Sequence, residues 1–312
     1  MFSEELVLSQ GNVLHYRCET LTGFKSRICP DRLKRSIDNR IKPEQNDEIC
    51  QFCPERVYKD TPVFQDNKRI RIGESVTFPN LYPFSKTHIV TVITKEHCPD
   101  IFTETQIFDA LKGQYTALKE TGGYPSINWN NQSSAGASMI HPHMQGISDE
   151  KPTYTAGRYI KKSREYLKKT EKNYWDNIRA IEKNSGRYLF GDEIIWSANP
   201  VPLGEKEIRG YLPISEISEF PHLIPRLSKD LLKLIRFYRS LGHYAYNMSI
   251  YFDNNNSDKA FKAFVSLIAR INPNPKSISD SAFMERLHFE PVVLTIPEEI
   301  GRNFKDFLEN DR

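Results

Sequence analysis

The 312-residue sequence has no apolar run approaching the roughly 18 residues that a membrane-spanning helix needs. It also lacks a charge excess of either sign: 43 Lys and Arg face 40 Asp and Glu, for a net charge of +3. That balance is far from the basic composition of a nucleic-acid binder. Cysteine is scarce and odd in number, five in all, so a disulfide framework is not expected. The opening Met1-Phe2-Ser3-Glu4-Glu5 is acidic and carries no signal-peptide pattern. These absences predict a cytoplasmic chain with reduced thiols, no membrane segment and no nucleic-acid partner. Its length is enough for a large core and for two domains or one duplicated unit.

What is present centres on Asn128 to Gln145. The first part, Asn130-Asn131-Gln132-Ser133-Ser134-Ala135-Gly136-Ala137-Ser138, is small and polar. Small side chains let backbone N–H groups approach an anion and serine hydroxyls add donors, so such a run can cradle phosphate. The second part is His141-Pro142-His143-Met144-Gln145. In an extended segment His141 and His143 share a face. A neutral imidazole can attack a phosphoanhydride and form a nucleotidyl-histidine, provided its other ring nitrogen is held by an acceptor. A third histidine in place of Gln145 would suit hydrolysis, because it could move a proton. Gln donates to a phosphate oxygen but cannot shuttle a proton. The pattern therefore favours transfer between phosphates, where the leaving group needs no acid.

Asn130-x5-Gly136-x-Ser138-x2-His141-Pro142-His143-x-Gln145 resembles the active-site signature of galactose-1-phosphate uridylyltransferase and its relatives in the histidine-triad superfamily, ADP-glucose phosphorylase among them. The resemblance implies an α+β fold: a duplicated histidine-triad (HIT)-like unit of antiparallel sheets with packed helices. Residues 1–155 would form the repeat with the zinc and catalytic motif, and 156–312 a degenerate second repeat. His143 would be the nucleophile, with Gln145 and Ser138 on phosphate oxygens. Arg32 and Arg35 match an Arg-x2-Arg segment near the substrate phosphates. Asn80 and Asn130, with Ser133, Ser134 and Gly136, would hold the nucleotide. Leu81 follows Asn80 where many uridylyltransferases have Asp, which bears on the choice of base.

Cys50-Gln51-Phe52-Cys53 is a Cys-x-x-Cys that, by itself, fits a redox pair or half of a zinc site. A tetrahedral site needs two more ligands. The resemblance supplies them as His97 and His141, giving structural Zn2+ on Cys50, Cys53, His97 and His141. Cys98 is a neighbouring competitor.

The rest of the chain fits a repeated plan. Ile107, Leu111, Tyr115 and Leu118 recur at helical spacing over 103–120, with Thr103 and Gln106 as a capping box and Gly122-Gly123 beyond the end. A strand then enters at 126–130. Lysines among apolar residues over 150–190 predict one or two amphipathic connector helices. Strands near 194–198, 209–213, 247–252 and 264–271, with a helix at 227–241, repeat the first half. The second half has no His-x-His; Ile268 and Arg270 stand where the resemblance places one. The C-terminal segment 283–291 matches a hexose-gripping region but lacks its glycines and polar pair, with Leu287 and Val293 there instead.

The expected function is transfer of a nucleoside monophosphate, UMP foremost, between a nucleoside diphosphate sugar and a sugar 1-phosphate. A phosphorylase of ADP-sugars or dinucleoside polyphosphates and a non-catalytic nucleotide-binding protein are the alternatives. A homodimer is possible.

Overall fold

The computed structural model describes residues 1–34, 50–99, 101–254, 258–271, 279 and 281–310. Arg35 lies outside the described residues. The strands of the first half are β1 (Phe2–Ser9), β2 (Asn12–Glu19), β3 (Lys25–Ile28), β4 (Ile70–Ile72), β5 (Ser75–Pro79), β6 (Thr87–Val92), β7 (Tyr124–Asn131) and β8 (His143–Asp149). Those of the second half are β9 (Tyr188–Phe190), β10 (Ile195–Ala198), β11 (Ile208–Tyr211), β12 (Tyr246–Tyr251), β13 (Phe264–Ala269) and β14 (Val292–Val293). The helices are α1 (Val57–Asp60), α2 (Glu104–Leu118), α3 (Tyr154–Thr170), α4 (Tyr174–Lys183), α5 (Ile224–Ser240), α6 (Ala282–Leu287) and α7 (Pro297–Asn310).

Ten strands form one antiparallel sheet in the order β4-β5-β6-β8-β7-β12-β13-β11-β10-β9. Read from each edge inward, the order is the same: three strands in sequence, then the last, then the one before it. In both halves the helix (α2, α5) lies between the third strand and the fourth. The duplication expected from the sequence is thus visible in the connectivity. The halves meet where β7 pairs with β12, Asn130 opposite Asn247 and Asn128 opposite Ser249. The two halves thus share one continuous sheet. A smaller sheet, β1-β2-β3-β14, is built from the two ends of the chain.

Alternation along each strand assigns the faces. Ile89, Ile127, Trp129, Met144, Met248, Val265 and Leu267 point to a core shared with α2 and α5. α2 begins as the sequence predicts, with Thr103 and Gln106 in a reciprocal capping box. It seats closely because Gly146 on β8 has no side chain. A Cβ there would stand 2.2 Å from Gln114 Oε1 and 2.8 Å from an Ile89 side-chain carbon. The opposite face differs between the halves. Over the second half it is covered by α3 and α4, so the predicted connector is a layer of the core. Over the first half it carries the Cys-x-x-Cys loop and the histidine motif. α7, not anticipated from sequence, packs on β9 and β10 through Phe304. Among the described residues no helix is long and apolar enough to cross a membrane.

Candidate active site and metal centre

The motif's extended backbone ends on β8, whose register with β6 puts His143 opposite Val92 and Gln145 opposite Val90. His141 and His143 are both buried, at 0% and 3% exposure. The Nε2–H of His141 donates to the Thr94 carbonyl at 2.8 Å, which leaves the Nδ1 lone pair facing Cys50 Sγ at 3.8 Å and Cys53 Sγ at 3.7 Å. His97 Nδ1 lies 3.4 Å from Cys53 Sγ. The four ligand atoms of Cys50, Cys53, His97 and His141 all fall within 4.8 Å of one another. Zn–S bonds of about 2.3 Å and Zn–N bonds of about 2.0–2.1 Å at a tetrahedral angle imply S···N distances of about 3.6 Å. The observed separations match, and a carbonyl acceptor behind a ligating imidazole is the usual supporting contact. The Cys2His2 cluster can therefore hold a metal ion, and its donor set suits zinc. Without a cation the site disfavours thiolate: burial, with Cys50 alongside, pushes the Cys53 thiol up to about 11. Burial also lowers the basicity of His141 to about 4.

The same loop fixes the nucleophile candidate. Phe52, inside Cys-x-x-Cys, packs edge-on against His143 with ring centroids 5.3 Å apart. Its other neighbours are Phe78, at 5.8 Å, and His141, at 6.3 Å. The Nδ1–H of His143 donates to the His141 carbonyl at 2.9 Å, so the lone pair resides on Nε2. Burial lowers the His143 pKa, which keeps the ring neutral. A metal ion on His141 would hold in place the carbonyl that selects the Nδ1–H tautomer of His143.

Sequence reasoning missed His88. It is a buried residue on β6 whose Nε2 lies 2.9 Å from Gln145 Oε1. The Phe84 N–H approaches His88 Nδ1 at 3.5 Å, and the Phe84 ring packs at 4.2 Å. With Nδ1 as acceptor, Nε2–H donates to Gln145 Oε1. The Gln145 amide NH2 is then directed to donate elsewhere. Asn80 Nδ2 also lies 3.2 Å from His88 Nε2. That nitrogen cannot donate to Gln145 and accept from Asn80 at once, and the shorter contact prevails. No motif spacing marks His88, but its polar side chain inside an apolar β run was the available signal.

The small polar run forms a tight turn between β7 and β8. Ala135 N–H and Ala137 N–H donate to the Gln132 carbonyl at 3.0 and 3.3 Å, and Gly136 N–H to the Ser133 carbonyl at 2.8 Å. These N–H groups are committed within the turn. The buried Ser134 Oγ has no protein hydrogen-bond partner. Ser138 is exposed at the turn's exit and Ser133 is half-buried. Asn130 Nδ2 points to the Gly136 carbonyl at 3.5 Å. Gly136 takes φ +85°, a left-handed conformation that suits glycine.

Asn80 belongs to a different part of the site. Its Oδ1 accepts from the Tyr82 N–H at 2.9 Å, and with His88, Lys68, Arg69 and Lys86 it lines a cavity of about 690 Å3. Leu81 and Tyr82 are exposed there, at 61% and 82%. Arg32 is half-buried in the short helical turn Pro30–Lys34. It lines a separate cavity of about 470 Å3 with Tyr16, Arg27, Asp31 and Met284, between the small sheet and α6.

Solved structures resemble this arrangement. An ADP-glucose phosphorylase from Arabidopsis thaliana, with bound ADP-glucose, superposes with a TM-score of 0.73 at 16% identity, over 97% of this chain and 98% of that one. A uridylyltransferase superposes with a TM-score of 0.68 at 18% identity, over 95% and 98%. The chain shares their fold. That shared α+β fold is consistent with the duplicated HIT-like unit expected from the motif. In sequence, an uncharacterised protein of Archaeoglobus fulgidus is 27% identical over 309 residues, covering 95% of this chain and 92% of that protein. No protein-family description matches the sequence.

Proposed function

We propose that the protein is a nucleotidyltransferase that works through a nucleotidyl-His143 intermediate. The observation that carries this reading is the Nδ1–H bond of His143 to the His141 carbonyl, which places a neutral lone pair on Nε2 beside Gln145. Nε2 attacks the α-phosphorus of a nucleoside diphosphate sugar. The N–P bond forms as the bridging P–O bond breaks, and the electron pair leaves on the sugar phosphate. A phosphate oxygen of the acceptor then attacks the same phosphorus, and the N–P bond breaks. Neither half needs a proton from the protein, which suits Gln145 in place of a third histidine.

Gln145, oriented by His88, donates to the α-phosphate, and Ser134 and Ser138 add donors from the turn. Asn80 and the cavity beside it receive the nucleoside, and Asn130 lies at the edge of the turn. Zinc on Cys50, Cys53, His97 and His141 would be structural: its chemistry there is to pin the loop and the motif together. Arg32 and Arg35, the Arg-x2-Arg pair of the sequence, would offset phosphate charge.

UMP is the group transferred in the leading reading, with a sugar 1-phosphate as acceptor. Inorganic phosphate as acceptor is the second reading. It is favoured by the C-terminal segment, where Leu287, 76% exposed, and Val293, buried on β14, stand in place of a polar hexose grip. Isotope exchange tests the mechanism. Labelled glucose 1-phosphate should enter UDP-glucose or ADP-glucose with no other acceptor present, and the nucleoside diphosphate sugar that exchanges names the base. Exchange that requires a second acceptor would refute a covalent intermediate.

A further inference from the structure

The turn that offers donors to phosphate is held in an unfavourable backbone state, and the residue that holds it comes from the other half of the molecule. Gln132 takes φ +73° and ψ 157°. This region is populated almost only by glycine, and a side chain there persists only where its surroundings enforce it. The bonds inside the turn are one source of enforcement. The other is Asn247 on β12. Its Nδ2 donates to the Ala135 carbonyl at 2.7 Å and to the Asn130 Oδ1 at 2.7 Å. Both hydrogens of that amide are used. The first bond satisfies a carbonyl on the buried Ala135. The second fixes the Asn130 amide with oxygen toward β12 and Nδ2 toward the turn, where it meets the Gly136 carbonyl. One strand pair further along, the Ser249 hydroxyl donates to Asn128 Oδ1 at 2.8 Å.

We propose that Asn247 is a positioning residue: it clamps the Gln132–Gly136 turn in its strained form and sets the Asn130 amide, so that the second repeat completes the phosphate site of the first. This rests on the reading of that turn as a phosphate site. The second repeat has no His-x-His pair, yet among the described residues it is its Asn247 side chain that donates to the Ala135 carbonyl of the first repeat's turn.

Asn247→Leu keeps the size and removes both donors; Gln132→Gly relieves the backbone without touching Asn247. In single-turnover labelling of His143 with UDP-glucose or ADP-glucose, Asn247→Leu should slow labelling by about tenfold or more and weaken donor binding less. Hydrogen exchange of residues 132–138 should quicken by about tenfold while β12 and β13 keep wild-type protection. Adding Gln132→Gly to Asn247→Leu should recover a large part of both losses, because the clamp matters only while there is strain to oppose. Wild-type exchange and labelling in Asn247→Leu would overturn the proposal. So would a loss of protection spread across the whole sheet that Gln132→Gly does not lift, since that is a fold defect. If neither donor labels the wild type, the transfer reading fails, and local exchange in the turn still decides whether Asn247 is its clamp.

Discussion

The two halves of the ten-stranded sheet share one connectivity and one helix-covered face, but they use the other face in opposite ways. In the second half that face is filled. Trp175 stacks on Phe264 with centroids 5.2 Å apart, and Tyr159, Tyr211 and Phe261 close around them. The charge buried there is paired: Arg209 lies 3.1 Å from Glu207 and 3.3 Å from Glu19, under the rings of Tyr159 and Phe264. In the first half the same face carries Gln145, Asn128, Asn130 and His143, with His88 alongside; the cluster beneath α3 and α4 meets it at Tyr124, at the start of β7. Backbone duplication therefore does not duplicate a site. Covering a face with aromatic side chains and matched ions turns it into core; leaving polar groups with unused donors makes a place for a ligand.

The contrast can be broken from either side. Replacing Cys50 or Cys53 by Ser should remove most bound zinc and cost on the order of 4 kcal/mol of stability. Metal analysis and thermal melting check this; zinc-free wild-type protein with an unchanged melt would contradict a structural metal. Trp175→Ala should cost a comparable 3–5 kcal/mol through the cavity it leaves. Activity per folded molecule should hold, because the aromatic layer is remote from His143 in role. A large fall in specific activity of the folded fraction would show that the filled half does more than support. His88→Phe should leave folding nearly unchanged but lower turnover about 10- to 100-fold, equivalent to about 1.4–2.7 kcal/mol, by freeing the Gln145 amide to rotate. Unchanged turnover would remove His88 from the site.

The smallest effect is acid sensitivity from the second half. His243 is 2% exposed, and burial, with Lys206 adding repulsion, lowers its pKa to about 4. The unfolded chain takes up this proton near its ordinary value of about 6.5, before the folded chain does. Stability is therefore lost as pH falls through that window, by about 2 kcal/mol between pH 7 and pH 5. Urea midpoints across this range should show the loss, and His243→Phe should reduce it; an unchanged acid limb would assign the loss to other groups.

Much of this was legible in the sequence for specific reasons. The histidine motif and the Cys-x-x-Cys are local patterns, and their separation in sequence hid only the closure between them. α2 declared itself by its period and its Thr103–Gln106 cap, and the structure carries that capping box. The strands of the second half were found by repetition. What escaped depends on tertiary pairing. His88 meets Gln145, and Asn247 meets Asn130, only because β6 and β12 flank β8 and β7 in the sheet. α3 and α4 read as a connector because lysines dominate their outer faces, while Tyr159 and Trp175 build a core beneath. Arg32 matched a motif by spacing, yet it sits with Arg27 and α6 in another cavity.

The most direct test is the intact mass of zinc-loaded protein after brief incubation with UDP-glucose or with ADP-glucose, beside His143→Ala. Addition of one nucleoside monophosphate to the wild type, absent from the variant and reversed by a sugar 1-phosphate or inorganic phosphate, is the predicted result. An adduct that persists in His143→Ala, or transfer that proceeds at the wild-type rate without His143, would contradict the account.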